Sequence, residues 1–91
     1  MKGVNIKENE IKADILFNRG QTFSCMSGVE NFEKAIEDFL KADKKFDASD
    51  TVNKHKVAFN MGIVYRRLGL LKESLEVLAK AVTLNNAQAA T

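Results

Sequence analysis

The chain has few of the residue types that build catalytic, metal-binding or disulfide-linked sites. Its 91 residues include one cysteine, one histidine and no tryptophan. The lone cysteine, Cys25, excludes an intramolecular disulfide and a thiolate metal site, and it favours a reducing compartment, the cytosol by default or the nucleus. No apolar run approaches the roughly 20 residues of a membrane-spanning helix, and no apolar stretch follows Lys2 as a secretory signal requires. We therefore expect a cytoplasmic protein with no membrane partner.

Residues that interrupt secondary structure are also rare. The chain has no proline and five glycines, which favours long uninterrupted helices. Basic and acidic residues number 14 and 12, so the net charge of +2 is too small to indicate a nucleic-acid partner. With 45% hydrophobic and 29% charged residues, the composition is typical of a globular protein. These features predict one small all-α domain over residues 1–91.

Apolar residues recur at helical spacing along four segments. We expect Ser27 to cap the second segment together with Glu30, and Gly69 to end the third. Asn85-Asn86 is expected to end the fourth segment. The predicted helices are residues 6–26, 29–45, 51–68 and 71–84.

The second segment carries acidic residues in its first half and lysines in its second. This order follows the helix dipole, and Glu37 and Lys41 are spaced as a favourable pair. We interpret the acidic residues as a solvated helix face rather than a binding site. They are Glu30, Glu33, Glu37 and Asp38.

Two stretches of the chain, residues 16–23 and 58–65, share one pattern. Each has Phe, Asn, a long side chain and Gly in succession, and an aromatic residue three positions after the Gly. A small residue, a bulky one and an alanine then follow in the next helix. In the first copy these are Ala35, Phe39 and Ala42, and in the second they are Ser74, Leu78 and Ala81. The pattern resembles the tetratricopeptide repeat, a helix-turn-helix unit of about 34 residues.

The resemblance implies two repeats that form a short right-handed α-solenoid. Gly20 should face Ala35 and Gly62 should face Ser74, so that the backbones of paired helices approach closely. The first turn has three extra residues and the linker between repeats about five, which leaves the angle between the repeats open. The implied bounds are about 13–47 for repeat one, 48–54 for the linker, about 55–88 for repeat two, and 87–91 for the start of a further helix.

In the tetratricopeptide family the first helix of each repeat lines a concave groove. The resemblance implies that the groove would hold a peptide with apolar anchors and a carboxylate. The phenylalanines could equally be core residues, and the arginines could serve only the helix dipole. By resemblance, the partner-binding residues are Phe17, Asn18, Gln21, Phe59, Asn60, Ile63, Arg66 and Arg67, flanked by Asp14, Ser24, Cys25 and Lys56.

Some members of the family bind acidic chaperone tails through a carboxylate clamp. Asn60 matches one clamp asparagine. Phe17 and Gln21 stand where the first helix would need lysine and asparagine, so we do not expect the clamp to form.

Other functions have weaker support. His55 is more readily a solvated or capping residue than a catalytic base, because no nucleophile or carboxylate is placed to work with it. No phosphate loop or metal-ligand spacing occurs, so we expect no enzyme, no cofactor and no metal. Nucleic-acid binding would rest on four basic residues, Lys54, Lys56, Arg66 and Arg67.

The sequence therefore predicts a non-catalytic protein-interaction scaffold that binds a peptide segment of a partner. The alternative is a structural unit that stacks on copies of itself or on flanking repeats and binds no peptide. Two repeats are fewer than the usual minimum of about three for a stable stack, which keeps the alternative open.

Overall fold

A computed structural model describes the backbone of residues 2–89 and the side chains of residues 7–86. The chain forms four α-helices, and no strand occurs in residues 2–89. The predicted all-α class is confirmed, and the helices form two helix-turn-helix units in succession, a short α-solenoid. They are α1 (Lys2–Cys25), α2 (Val29–Lys45), α3 (Thr51–Arg67) and α4 (Leu71–Ala89).

The turn between α1 and α2 corrects one prediction. Gly28 occupies the cap position of α2, with φ 114° and no side-chain cap, whereas Ser27 was expected there. A positive φ is costly for any residue with a Cβ, so the glycine occupies the position that the turn geometry requires. Ser27 lies one residue further out, where its carbonyl accepts a hydrogen bond from the side chain of Asn31 at 2.9 Å.

The turn between α3 and α4 agrees with the sequence prediction. Gly69 has φ 80° and follows the last residues of α3. The amide of Leu70 donates to the carbonyl of Tyr65 at 2.9 Å, which satisfies one of the free carbonyls at the helix end.

Two helix bounds differ from those predicted by more than one residue. Helix α1 begins at Lys2 rather than at Ile6, and α4 continues through Asn85-Asn86 to Ala89. Asparagine lowers helix stability by less than about 0.7 kcal/mol relative to alanine, and the residues after it are good helix formers. The expected further helix at 87–91 is therefore an extension of α4 as far as Ala89, and residues 90–91 lie outside the described residues.

The core lies between paired helices and continues from α2 to α3. Phe39 is fully buried, and burial of such a side chain stabilises the fold by about 1.5–3 kcal/mol. A Cβ built on Gly20 would lie 2.7 Å from the Phe39 ring, so this ring, rather than Ala35, is the nearest neighbour of the glycine. The buried core residues are Ala13, Ala35, Phe39, Ala42, Phe46, Val57, Met61 and Val64.

The second repeat shows the same close approach. A Cβ on Gly62 would lie 2.5 Å from Leu78. The hydroxyl of Ser74 donates to the carbonyl of Gly62 at 2.8 Å, so these two residues face each other as predicted.

One charged residue is not part of a solvated face. Asp38 is 3% exposed, although we interpreted it as a surface residue. Arg19 reaches it from α1, and Nε and Nη2 each donate to a different carboxylate oxygen at 2.8 Å. Because Phe39 and Ala35 are buried on α2, the side of the helix that faces α1 includes Asp38, and the arginine compensates for its buried charge.

Candidate interaction surface

One hydrogen bond joins the two helices that the resemblance assigns to the groove. The guanidinium of Arg67 on α3 donates to the carbonyl of Ser24, in the last turn of α1, at 3.0 Å. The carboxyl ends of α1 and α3 are therefore held side by side. We expected Arg67 either to contact a peptide or to serve the dipole of its own helix, and the structure adds a bond from its Nη1 to a carbonyl of α1.

The two groove phenylalanines have different surroundings. Phe17 is half-buried and lies 5.7 Å, centroid to centroid, from the ring of Phe39 in the core. Phe59 is 49% exposed and stacks on His55 at 6.4 Å. The exposed aromatic surface on this side of the molecule therefore comes from the second repeat.

His55 has a structural contact that the sequence did not reveal. Its Nδ1 lies 2.8 Å from the carbonyl oxygen of Ala81. Because a carbonyl only accepts, Nδ1 carries the proton and donates. His55 thus links the start of α3 to α4, and it is neither a fully solvated side chain nor a helix cap.

The remaining groove residues form a mixed surface. The side-chain amide of Asn60 donates to the carbonyl of Lys56 at 2.7 Å, so it is engaged within its own helix. Gln21 and Ile63 are half-buried, whereas Asn18 and Arg66 are exposed. Asp14, Cys25 and Lys56 are exposed as well, and Ser24 is half-buried.

The four basic residues do not form one patch. The ammonium of Lys54 donates to the Asp43 carbonyl at 2.7 Å and lies 3.4 Å from the Asp43 carboxylate. Lys56 lies near the start of α3 and Arg66 near its end, ten residues away, with Arg67 beside Arg66. Ten residues of α-helix span about 15 Å. The basic cluster that a nucleic-acid function would need is therefore divided between the two ends of one helix.

A second surface was missed by the sequence reasoning. An apolar groove of about 530 Å³ lies between α2 and the α3–α4 turn. Val29 and Leu40 are apolar residues outside the stripe of α2 that faces α1. Their presence on a second side of the helix was the sequence feature that could have predicted this groove. We call this surface the outer groove; it is lined by Val29, Glu33, Ile36, Glu37, Leu40, Tyr65, Leu68 and Leu70.

Metal-ligating side chains do not cluster in the part of the chain whose side chains are described. Residues 7–86 contain no group of three or more His, Cys, Asp or Glu side chains that could hold a metal ion. No helix over the same range is both long and apolar enough to cross a membrane.

Comparison with known protein families supports the repeat. Residues 55–88, which contain most of α3 and α4, match the family model of the tetratricopeptide repeat. The comparison with curated proteins found no match, and neither did the comparison with solved structures.

Proposed function

We propose that this chain is an interaction scaffold, because residues 55–88 match the family model of the tetratricopeptide repeat. Such repeats generally mediate protein–protein interactions and are generally non-catalytic. The ligand of the scaffold is a peptide segment of a partner protein, held across α1 and α3. The lone exposed thiol of Cys25 favours the cytosol or nucleus as the place where this occurs.

The bond between Arg67 and Ser24 is the observation that carries this proposal. It sets the carboxyl ends of α1 and α3 beside each other, which supports a continuous surface along the first helices of both repeats. Phe59 and Ile63 would contact an apolar anchor of the peptide, and the exposed guanidinium of Arg66 would pair with its carboxylate.

A chaperone-type carboxylate clamp is not part of the proposal. The clamp needs a lysine at the position where this chain has Phe17, and Phe17 packs on the core phenylalanine Phe39. The amide of Asn60 is already bonded to its own helix. Tight binding of an acidic chaperone tail, abolished by Asn60→Ala, would contradict this exclusion.

The test is affinity capture from the native source with the double variant Phe59→Ala/Arg66→Ala. Both side chains are exposed, so we expect the melting temperature and the mass in solution to stay unchanged while the partner is lost. The matched control is Lys72→Ala/Glu76→Ala, which removes two exposed side chains of α4 and should retain the partner. A partner that binds the Phe59→Ala/Arg66→Ala variant as well as the original chain would refute the groove.

A second candidate function, stacking into a longer array, is supported by the two ends of the solenoid. Ile15 precedes Val57 by 42 residues, as Gly20 precedes Gly62, so the two occupy equivalent positions. Val57 is 1% exposed in the core, whereas Ile15 is 60% exposed. The position that is buried in the second repeat, Val57, is thus exposed to solvent in the first, at Ile15.

The other end of the solenoid is open in the same way. Leu75 follows Ile36 by 39 residues, as Ser74 follows Ala35. Ile36 packs against the core beside α3, whereas Leu75 is 70% exposed and Val82 on the same side is 58% exposed. Two complementary apolar faces at opposite ends favour head-to-tail association with a further repeat or a second copy.

A further inference from the structure

We propose that the outer groove is a second docking site, whose occupant is a basic amphipathic helix of a partner protein. This surface lies on the side of α2 and the α3–α4 turn, and it shares no lining residue with the surface that the peptide proposal uses. The inference therefore goes beyond the proposed function and can fail independently of it.

The floor of the outer groove is apolar and open. Leu40 is 45% exposed, Leu70 is 43% exposed and Val29 is 63% exposed. Within residues 2–89, the backbone of α2 lies against α1 and α3, whereas α4 reaches α2 through the side chain of Lys80, 3.6 Å from the Asp43 carboxylate. The space between α2 and the start of α4 is consequently unfilled, and apolar side chains from three elements line it.

The rim of the outer groove is acidic. Glu33 and Glu37 are the charged residues that line it, and Glu33 makes no ion pair with any residue that the structure describes. Glu73 lies close enough to Tyr65 for its charge to act on that hydroxyl. Among the described residues, no lysine or arginine lines the groove.

One of the two nearby lysines contacts the rim. Lys41 pairs with Glu37 at 3.1 Å and partly neutralises it. Lys34 extends toward α1, where its ammonium lies 5.6 Å from the centre of the Phe23 ring, so Glu33 is the rim carboxylate that these lysines leave unpaired. An occupant with lysine or arginine beside its apolar face therefore complements the rim.

The length and polarity of the groove favour a helix as the occupant. Its side on α2 runs from Val29 to Leu40, which is about 16 Å or three helical turns. The groove is lined by side chains of helices, which offer no free strand edge. An extended peptide would bury unpaired backbone amides there, whereas a helix bonds its own. The groove therefore favours a helix that has apolar side chains at i, i+4 and i+7 and cationic side chains beside them.

The probe is a synthetic helical peptide of about four turns, with leucines at i, i+4, i+7 and i+11, lysines beside them and no aromatic residue. A matched peptide carries glutamate in place of every lysine. Tyr65 is the only tyrosine and the chain has no tryptophan, so tyrosine fluorescence reports on the surroundings of this one residue, which lines the outer groove. Amide NMR shifts locate the bound peptide.

We expect the lysine peptide to change Tyr65 fluorescence, to shift amides of α2 and the α3–α4 turn, and to bind more weakly as salt increases. The variant Glu33→Lys/Glu37→Lys should weaken it at least about tenfold and should strengthen the glutamate peptide. The matched control Glu8→Lys/Glu10→Lys, an equal charge change at two exposed positions of α1, should bind both peptides as the original chain does.

Three outcomes would overturn the proposal. Equal affinity for the lysine and glutamate peptides would remove the role of the acidic rim. Shifts confined to the surroundings of Phe59 and Val82 would place the peptide elsewhere. A mass that doubles on concentration, with fluorescence of Tyr65 changing in step, would make a second copy the occupant. Circular dichroism of each variant verifies that it is folded. The variant Leu40→Ser, which removes an exposed apolar side chain from the floor of the groove, tests separately how much apolar contact contributes to peptide binding.

Discussion

At the scale of single residues, two glycines determine how closely the paired helices pack. Gly20 is buried, and its missing Cβ leaves the space that the Phe39 ring fills. Gly62 leaves the same space for Leu78. The two sites differ in their capacity to adjust, because Phe39 is fully buried whereas Leu78 is half-buried. Overpacking should therefore cost more at Gly20 than at Gly62.

We predict that Gly20→Ala destabilises the protein. Overpacking costs about 1–3 kcal/mol, which exceeds the gain of about 1 kcal/mol from the better helix propensity of alanine. Urea unfolding measures the change. The neighbouring exposed substitution Thr22→Ala should stay within about 0.5 kcal/mol. Phe39→Leu should partly offset Gly20→Ala in a double-mutant cycle, and strictly additive effects would contradict the steric explanation.

Tyr65 provides a prediction about pH. Partial burial and the charge of Glu73 both raise the pKa of this hydroxyl above the ordinary tyrosine value of 10.0. The unfolded chain then loses the tyrosine proton first, so the stability that the neutral hydroxyl contributes is complete below pH 10.0 and is lost as pH rises through the folded-state pKa.

Ultraviolet titration of tyrosinate measures this pKa directly, because the chain has one tyrosine and no tryptophan. We expect a midpoint above 10.0 in the folded protein and a lower one for Glu73→Gln, which removes the nearby charge. The substitution Glu76→Gln on the same helix is the control and should leave the midpoint unchanged. A folded-state midpoint at or below that of the urea-unfolded chain would refute the prediction.

At the scale of helices, polar bonds fix each element against its neighbours. Most of these bonds end on a backbone carbonyl or on a single carboxylate, so one side chain positions a whole helix. Asp43 of α2, for example, receives Lys54 of α3 and, at 3.6 Å, Lys80 of α4. The other bonds are Arg19–Asp38 between α1 and α2, Arg67–Ser24 between α1 and α3, and both His55–Ala81 and Ser74–Gly62 between α3 and α4.

The bond between α1 and α2 is the one we expect to matter most for stability. In Arg19→Met the arginine stem is kept, but Asp38 is left buried without its partner, which is strongly unfavourable. The melting temperature should fall further than for Lys41→Ala, which removes an exposed pair worth about 0.3–0.5 kcal/mol.

Replacing both partners by apolar residues tests the cause of that loss. Arg19→Met/Asp38→Leu removes the buried charge as well as its partner, so it should recover much of the stability that Arg19→Met loses. If the double variant were the less stable of the two, the penalty would come from lost packing of the helix pair and not from an unpaired carboxylate.

At the scale of the whole molecule, a small core coexists with open apolar ends. The Cα atoms extend over 41 × 28 × 15 Å, so the solenoid is thin and much of its apolar surface is within reach of solvent. Ile15 at one end and Leu75 at the other are each more than half exposed. Contact between these ends would continue the packing of α3 on α2.

We predict that this contact makes the mass of the protein depend on its concentration. Analytical ultracentrifugation should show association that Ile15→Glu or Leu75→Glu abolishes, because either charge would be buried in the contact. In a heterologous contact, a mixture of the two variants can form only one pair, through the intact face of each, so it should stop at a dimer. A monomer at all concentrations would contradict head-to-tail self-association and leave flanking repeats as the stacking partner.

Part of this protein could be predicted from its sequence because the relevant physics is local. Scarce glycine, absent proline and apolar spacing specify helices, and Gly69 ends one of them by its own backbone freedom. The repeated Phe–Asn–x–Gly pattern indicates how helices pair, because a residue without a side chain lets two helices approach closely. The cap at Gly28 was missed because it depends on how the turn enters α2.

The candidate sites were less predictable because they depend on residues far apart in the sequence. Asp38 and its neighbour Glu37 are both acidic residues of α2, but Asp38 is buried against α1 whereas Glu37 is exposed. The sequence does not show which of the two faces α1. Arg67 lies 43 positions after Ser24, the residue whose carbonyl it bonds. The outer groove exists because the start of α4 does not cover α2. Periodicity determines which side of a helix is apolar, but only the arrangement of all four helices decides which apolar sides are covered and which remain free to bind.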